Sequence, residues 1–140
     1  MSSRANKITQ TTKKRVVYRS LAPDLALLPQ TQDLATLINE EAVKQSIKNL
    51  IFTYPGERFY HPDLGSTITK DVFEFVDEFT MDRIKETILQ TLQAYEPRAQ
   101  NPRVTVEDRS QDNYIIVNVY FNIAAVPESA SVASVQIRIR

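Results

Sequence analysis

Two hydrophobic periods divide this chain. Up to Tyr95 the patterned apolar residues recur every three to four positions, and from Val104 onward they alternate, so helices are predicted first and strands last. Val43, Ile47, Leu50 and Ile51 form the first helical stripe, with Glu40, Glu41, Lys44 and Lys48 elsewhere on the wheel. That arrangement predicts an amphipathic helix over about 39–52. Asn39 suits its N-cap, and Glu40 and Glu41 suit the positive end of its dipole. Ile68, Val72 and Phe73 mark one face of a short helix. Ile84, Ile88, Leu92 and Tyr95 define the buried stripe of a longer one, with Thr80 as its N-cap. Pro97 ends it, because a residue before proline is pushed out of the helical region.

The strand period follows. Val104 and Val106 alternate with Arg103, Thr105 and Glu107, a polar turn covers 108–113, and Ile115, Val117, Val119, Phe121 and Ile123 share one face of the next strand. Tyr114, Ile116, Asn118, Tyr120 and Asn122 occupy the opposite face, so the two strands form an antiparallel hairpin. A loop holding Pro127, Glu128 and serines then leads to a last strand. In it Val135, Ile137 and Ile139 alternate with Gln136, Arg138 and Arg140. The predicted fold class is α+β: two main helices packed on a small antiparallel sheet, with an extended N-terminal arm. A strand that closes the sheet leaves an edge open for strand addition from another chain. Arg138 and Arg140 either keep that edge soluble or select its partner.

Between the helices lies a shaped loop. Gly56 and Gly65 are the only two glycines in the chain, and glycine alone enters positive φ without penalty. Tyr54-Pro55-Gly56-Glu57 fits a type II turn, and His61-Pro62-Asp63-Leu64 reads as a second turn. The pair makes a rigid loop that displays Glu57, Arg58 and His61. Glu96 sits at the C-terminal end of the longer helix, where the dipole disfavours a carboxylate. It calls for a cation, either Arg98 or Arg58. Two roles stay open for it: an internal ion pair that fixes the helix exit, or a charged projection that docks on another protein.

Composition narrows the chemistry. The charged residues from Met1 to Ser20 are all basic, namely Arg4, Lys7, Lys13, Lys14, Arg15 and Arg19. They read as a solvated tail or as an arm that orders on a partner, with Val16, Val17 and Tyr18 adding a short strand. Residues 22–32, with Pro23 and Pro29, read as a linker whose Leu25, Leu27 and Leu28 pack down on the body. The expected division is therefore an arm and linker over 1–32 and a folded domain over 33–140. Lys+Arg and Asp+Glu each number 17, so no overall field argues for nucleic acid or an anionic membrane. No apolar run is long enough for a membrane span, and no signal peptide is read. Cysteine is absent, which removes disulfides and thiolate chemistry. A lone His61 makes no metal cluster, and no phosphate loop or nucleophile elbow is present. A carboxylate pair for glycoside hydrolysis drawn from Glu57, Asp63, Glu74 and Glu96 is the only enzymatic idea left. Acidic residues are too common for that to count, so no catalytic, cofactor-binding or metal residue is assigned.

Taken together, Gly56-Glu57-Arg58, Pro62 and Gly65, Val72-Phe73-Glu74, and Tyr95-Glu96-Pro97-Arg98 opening a hairpin resemble the wedge proteins of contractile tail baseplates. That family includes baseplate assembly protein W, the matching baseplate subunit of type VI secretion systems, and members with a lysozyme-like label that these residues do not support. The resemblance covers about 41–140. It implies a non-enzymatic component of the inner baseplate wedge that starts polymerisation of the sheath. Glu96, Pro97 and Arg98, with Arg58 beside them, are expected to face the wedge's helical core bundle. Pro55, Gly56, Pro62 and Gly65 shape the loop. The edge carrying Val135, Ile137, Arg138, Ile139 and Arg140 is expected to accept sheath strands.

The implied partners are baseplate wedge proteins, the tail sheath protein and tube or hub proteins, without nucleic acid, membrane or cofactor. The implied place is the virion tail baseplate, assembled in the host bacterial cytoplasm. Leu64 departs from the family pattern, standing where an aromatic is common. Two other readings remain, a same-fold regulatory binding module like the bacterial anti-adaptor that blocks sigma-factor proteolysis, and a muralytic glycosidase. On the wedge reading, Arg98→Ala or Glu96→Ala is expected to spare the fold and stop tail assembly, and truncation before Val135 to block sheath growth.

Overall fold

A computed structural model describes residues 16–72, 77–124 and 126–138. The basic residues Arg4, Lys7, Lys13, Lys14 and Arg15, the helix-face residue Phe73, Glu74, and the edge residues Ile139 and Arg140 lie outside the described residues.

The strongest sequence periods became the core. Helix α1, Glu40–Phe52, buries Ala42, Val43, Ile47, Leu50 and Ile51, and α2, Ile68–Asp71, is followed directly by buried Val72. Helix α3, Glu78–Tyr95, buries Ile84, Ile88 and Leu92 along with Thr80 and Thr91. These stripes meet the inner face of a three-stranded antiparallel sheet, where Ile115, Val117, Val119, Phe121 and Ile123 of the central strand are all buried. Each such side chain contributes about 1.5–3 kcal/mol relative to an exposed position. The fold is α+β, as its periods predicted.

The sheet runs in the order β3-β4-β5, with β3 at Ala99–Arg109, β4 at Tyr114–Ile123 and β5 at Val126–Arg138. A 3-10 turn at Ser110–Asp112 and left-handed Asn113 connect the first pair. Val106 faces Val117 across β3 and β4, and Val135 faces Val117 across β4 and β5.

Strand β5 is far longer than predicted. The serine-containing stretch expected to be a loop is strand, pairing Ser131 with Phe121 and Ala133 with Val119. Ser131, Ala133, Val135 and Ile137 all point inward. Small residues at the first two of these positions erase the hydropathy contrast that period detection needs, on a strand that packs against α1.

Other expectations also shift. Helix α3 is capped three residues earlier than expected: extended Asp77 is the N-cap, and its carboxylate accepts the Thr80 N–H at 2.7 Å. Tyr95 is 38% exposed rather than part of the buried stripe. Asn39 does occupy the position before α1, but it makes no side-chain cap. It is buried, at φ 44, and its Oδ1 accepts the N–H groups of Val17 and Tyr18 at 2.8 and 3.1 Å. This clamp positions a second, two-stranded sheet in which β1, Arg19–Leu21, pairs with β2, Thr36–Ile38. The stretch read as a linker is the connection between these strands, closed by the Ala35 N–H to Ala26 and the Leu28 N–H to Asp33. Leu25, Leu27 and Leu28 stay exposed instead of packing on the body.

Candidate functional site

The helix α3 exit is built to hold a buried charge. Glu96, at φ −128 and ψ 70, leaves the helix and turns its carboxylate inward, where it is 2% exposed. An unpaired carboxylate in such a place would be expensive twice over, through lost hydration and through the helix dipole. Arg98 answers both. Its Nε donates to Oε1 at 2.6 Å and its Nη2 to Oε2 at 2.7 Å, a two-point geometry that only guanidinium offers. Burial pushes the Glu96 carboxyl up, but the Arg98 hydrogen bonds, the Ser46 hydroxyl and the Arg98 charge outweigh it and hold the group below its ordinary value. Glu96 in turn raises Arg98.

The corner is tied down from several directions. Ser46 reaches Glu96 from α1. The Arg98 guanidinium stands over the Tyr18 ring, 5.5 Å from its centroid, within cation–π range. The Ala124 N–H donates to the Arg98 carbonyl, joining the β4–β5 turn to the corner. Of the two roles left open for Glu96, the structure shows the internal ion pair, with Arg98 rather than Arg58 as the cation. Pro97 is exposed and Arg98 half-buried, so this pair presents the outward surface while Glu96 lies beneath it. Replacing either ionic partner by alanine is therefore expected to cost stability as well as to change this surface.

The loop between α1 and α2 is cross-linked by backbone hydrogen bonds around its two glycines. The Glu57 N–H donates to the Tyr54 carbonyl and the Leu64 N–H to that of His61, which closes both expected turns. Gly56, at φ 93, sends its N–H across to Pro62 at 2.7 Å. Gly65, at φ 133, lies so close to the chain that a Cβ would stand 2.3 Å from the Thr53 oxygen, a contact no side chain tolerates. Buried Ser66 donates through its hydroxyl to Ile51, and Tyr95 donates through its hydroxyl to Asp63 at 2.8 Å. This last bond explains why Tyr95 left the core stripe.

Arg58 is exposed on this loop. It lines a trough of about 180 Å³ with Ser46, Asn49, Leu50, Thr53, Leu64 and Tyr95. Ser46, which also helps to lower the Glu96 carboxyl, lines the same trough as Arg58. Ser46, Tyr18 and Asn39 were not singled out for this region by sequence. Their signals are a serine on a polar helix face and an unremarkable tail tyrosine, and only long-range contact gives them meaning.

The C-terminal residues form a different site. Val135 and Ile137 are buried core and Arg138 is exposed on the outer face. Strand β5 is an edge strand, and no strand pairs with its outer side among the described residues. Ala99 pairs with Ile123, whereas Ile137 pairs with Ile115, so the corner and the end of the open edge are separated by eight residues of β4, roughly 26 Å of strand.

Glu96 is held ionised, the reverse of what a glycosidic general acid needs. Among the described residues no cluster of three or more His, Cys, Asp or Glu is placed to hold a metal ion. Among the described residues, no helix is long and apolar enough to cross a membrane.

The model of a known family, described as baseplate wedge protein gp25, matches residues 38–128. This chain belongs to that family. The baseplate wedge protein gp25 of Enterobacteria phage T4 is 23% identical over 121 residues, covering 86% of this chain and 91% of its own. Two solved structures share the fold of this gp25-family chain. A putative tail lysozyme from Geobacter sulfurreducens has a TM-score of 0.66 and 22% identity, covering 72% of this chain and 91% of the other. A chain of the anti-feeding prophage baseplate has a TM-score of 0.66 and 23% identity, covering 79% and 89%. The family match spans α1, the glycine loop, the Glu96–Arg98 corner and the β3–β4 hairpin.

Proposed function

We propose that this gp25-family chain is a structural, non-enzymatic part of the wedge in a contractile tail baseplate, that it docks on the wedge core bundle through the Pro97–Arg98 corner and Arg58, and that strand β5 seeds the sheath by accepting a strand from a sheath subunit. The observation that carries this reading is the separation of two ready-made surfaces on one rigid sheet. A locked ionic corner stands at one end, and the open edge of β5 runs to the other. A subunit with that layout can bridge an inner scaffold and an outer coat. The partners are wedge proteins and the sheath protein, with tube or hub proteins as neighbours, and the place is the tail baseplate, assembled in the host cytoplasm.

The test changes the surface and leaves the buried pair alone. Arg58→Glu alters an exposed position that the Glu96–Arg98 pair does not use, so the variant is expected to fold and to be missing from purified baseplates. Contractile particles that contain the variant at normal occupancy would contradict docking through this corner.

A further inference from the structure

The tip of the glycine loop holds two aromatic side chains with nothing on them. Phe59 is 99% and Tyr60 94% exposed, while the loop beneath them is pinned at its base by the Gly56–Pro62, Tyr95–Asp63 and Ser66–Ile51 bonds. These bonds brace the loop that carries both rings. Two aromatic rings on a frame that does not need to be ordered are suited to act as interface anchors, since most of the entropic cost of positioning them is already met in the free chain. Arg58 precedes them without an ion pair among the described residues, whereas the Glu57 carboxylate is turned back to accept the Tyr54 N–H at 3.1 Å.

We infer that Phe59 and Tyr60 form an aromatic knuckle that inserts into an apolar pocket with an acidic rim on a different protein of the assembly, the rim pairing with Arg58. The inference rests on the chain being a baseplate component. A second copy of this chain fits poorly. Its larger surface groove, about 530 Å³ on the outer face of the sheet, has Arg103 in its wall with Pro102, Tyr120 and Val132, and no carboxylate lines it. Arg58 would meet Arg103 there. A lipid surface also fits poorly, because membrane attachment through a loop of this kind draws on clusters of basic residues and the tip offers one.

The absence of cysteine makes the test direct. His61→Cys, exposed beside the two rings and leaving both in place, introduces a unique thiol at the tip, and Gln93→Cys on the exposed face of α3 serves as the control. Maleimide labelling of this chain is measured for the isolated protein and for purified particles. The proposal expects rapid labelling of both in isolation, and in particles a block at position 61 with position 93 still reactive. When Phe59→Ala/Tyr60→Ala chains compete with wild type for particles, incorporation should fall about 30-fold, the effect of losing one strong anchor. Particles that contain the chain with position 61 still fully reactive overturn the knuckle and leave the wedge reading standing. Particles that lack the wild-type chain overturn both. Protection of the isolated chain by self-association, or by flotation with phosphatidylcholine–phosphatidylglycerol vesicles, also overturns the proposed partner.

Discussion

Removing the guanidinium of Arg98 probes the logic of the corner most sharply. In Arg98→Ala the Glu96 carboxylate keeps the Ser46 hydroxyl but loses two short charge-assisted bonds and its countercharge. Breaking a buried ion pair from one side costs about 3–5 kcal/mol. Here the carboxylate side is fully buried, but the Arg98 side chain is 31% exposed, so solvent screening brings the expectation to about 2–3 kcal/mol at neutral pH. That corresponds to a melting point lower by roughly 7–10 °C.

The pH dependence separates this cause from simple loss of packing. In the wild type Glu96 is held below its ordinary value, so its contribution is complete above that value and fades as pH falls through the folded one. In Arg98→Ala burial is no longer outweighed. The carboxyl then titrates above its ordinary value, and its penalty is present at neutral pH and disappears on acidification. Urea unfolding from about pH 7 to about pH 4 should therefore show the gap between the two proteins shrinking as pH falls. Adding Glu96→Gln to Arg98→Ala should recover part of the loss at neutral pH. A cost under about 0.5 kcal/mol, or a gap that does not change with pH, would refute a buried, ionised Glu96.

Three further outcomes follow from the geometry. Gly65→Ala, which meets the Thr53 oxygen at φ 133, should cost about 2–4 kcal/mol in chemical denaturation, whereas Gly56→Ala, with open space around it, should cost only about 1. Equal losses would mean that the close approach is not what selects glycine. Asn39→Ala should cost about 1–3 kcal/mol and release the Val17 and Tyr18 amides to fast hydrogen exchange, and unchanged protection would show that the β1–β2 sheet is held elsewhere. Ser131 has a buried hydroxyl without a partner among the described residues, so Ser131→Ala should be neutral or stabilising by up to about 1 kcal/mol. A clear loss of stability would reveal a bond that the hydroxyl makes.

The parts of the fold legible in sequence were those with strong contrast. Ile84, Ile88 and Leu92 fix α3, and five alternating residues from Ile115 to Ile123 fix β4, because each repeats long enough for period alone to decide. Contrast fails in β5, where Ser131 and Ala133 face inward and read like a loop. It fails at Asp77 and Thr80, which are both good caps, since the choice depends on which of them takes the extended backbone. The β1–β2 sheet hangs on Asn39 reaching residues more than twenty positions away, a contact no local pattern announces. At the site, Tyr95-Glu96-Pro97-Arg98 and the two glycines were readable as a corner and a loop. That Glu96 is buried was not, because the same spacing serves an inward or an outward carboxylate. Truncation before Val135 is a poor test of strand addition for a related reason: it removes Val135 and Ile137 from the core.

The central claim is that one chain joins an inner scaffold at Pro97–Arg98 to the contractile coat along β5. Cryo-electron microscopy of the assembled particle tests it directly. The account predicts a foreign strand hydrogen-bonded to the outer edge of β5 and a wedge helix against Pro97 and Arg98. A β5 edge open to solvent at the base of a complete sheath, with the corner also unoccupied, would contradict it.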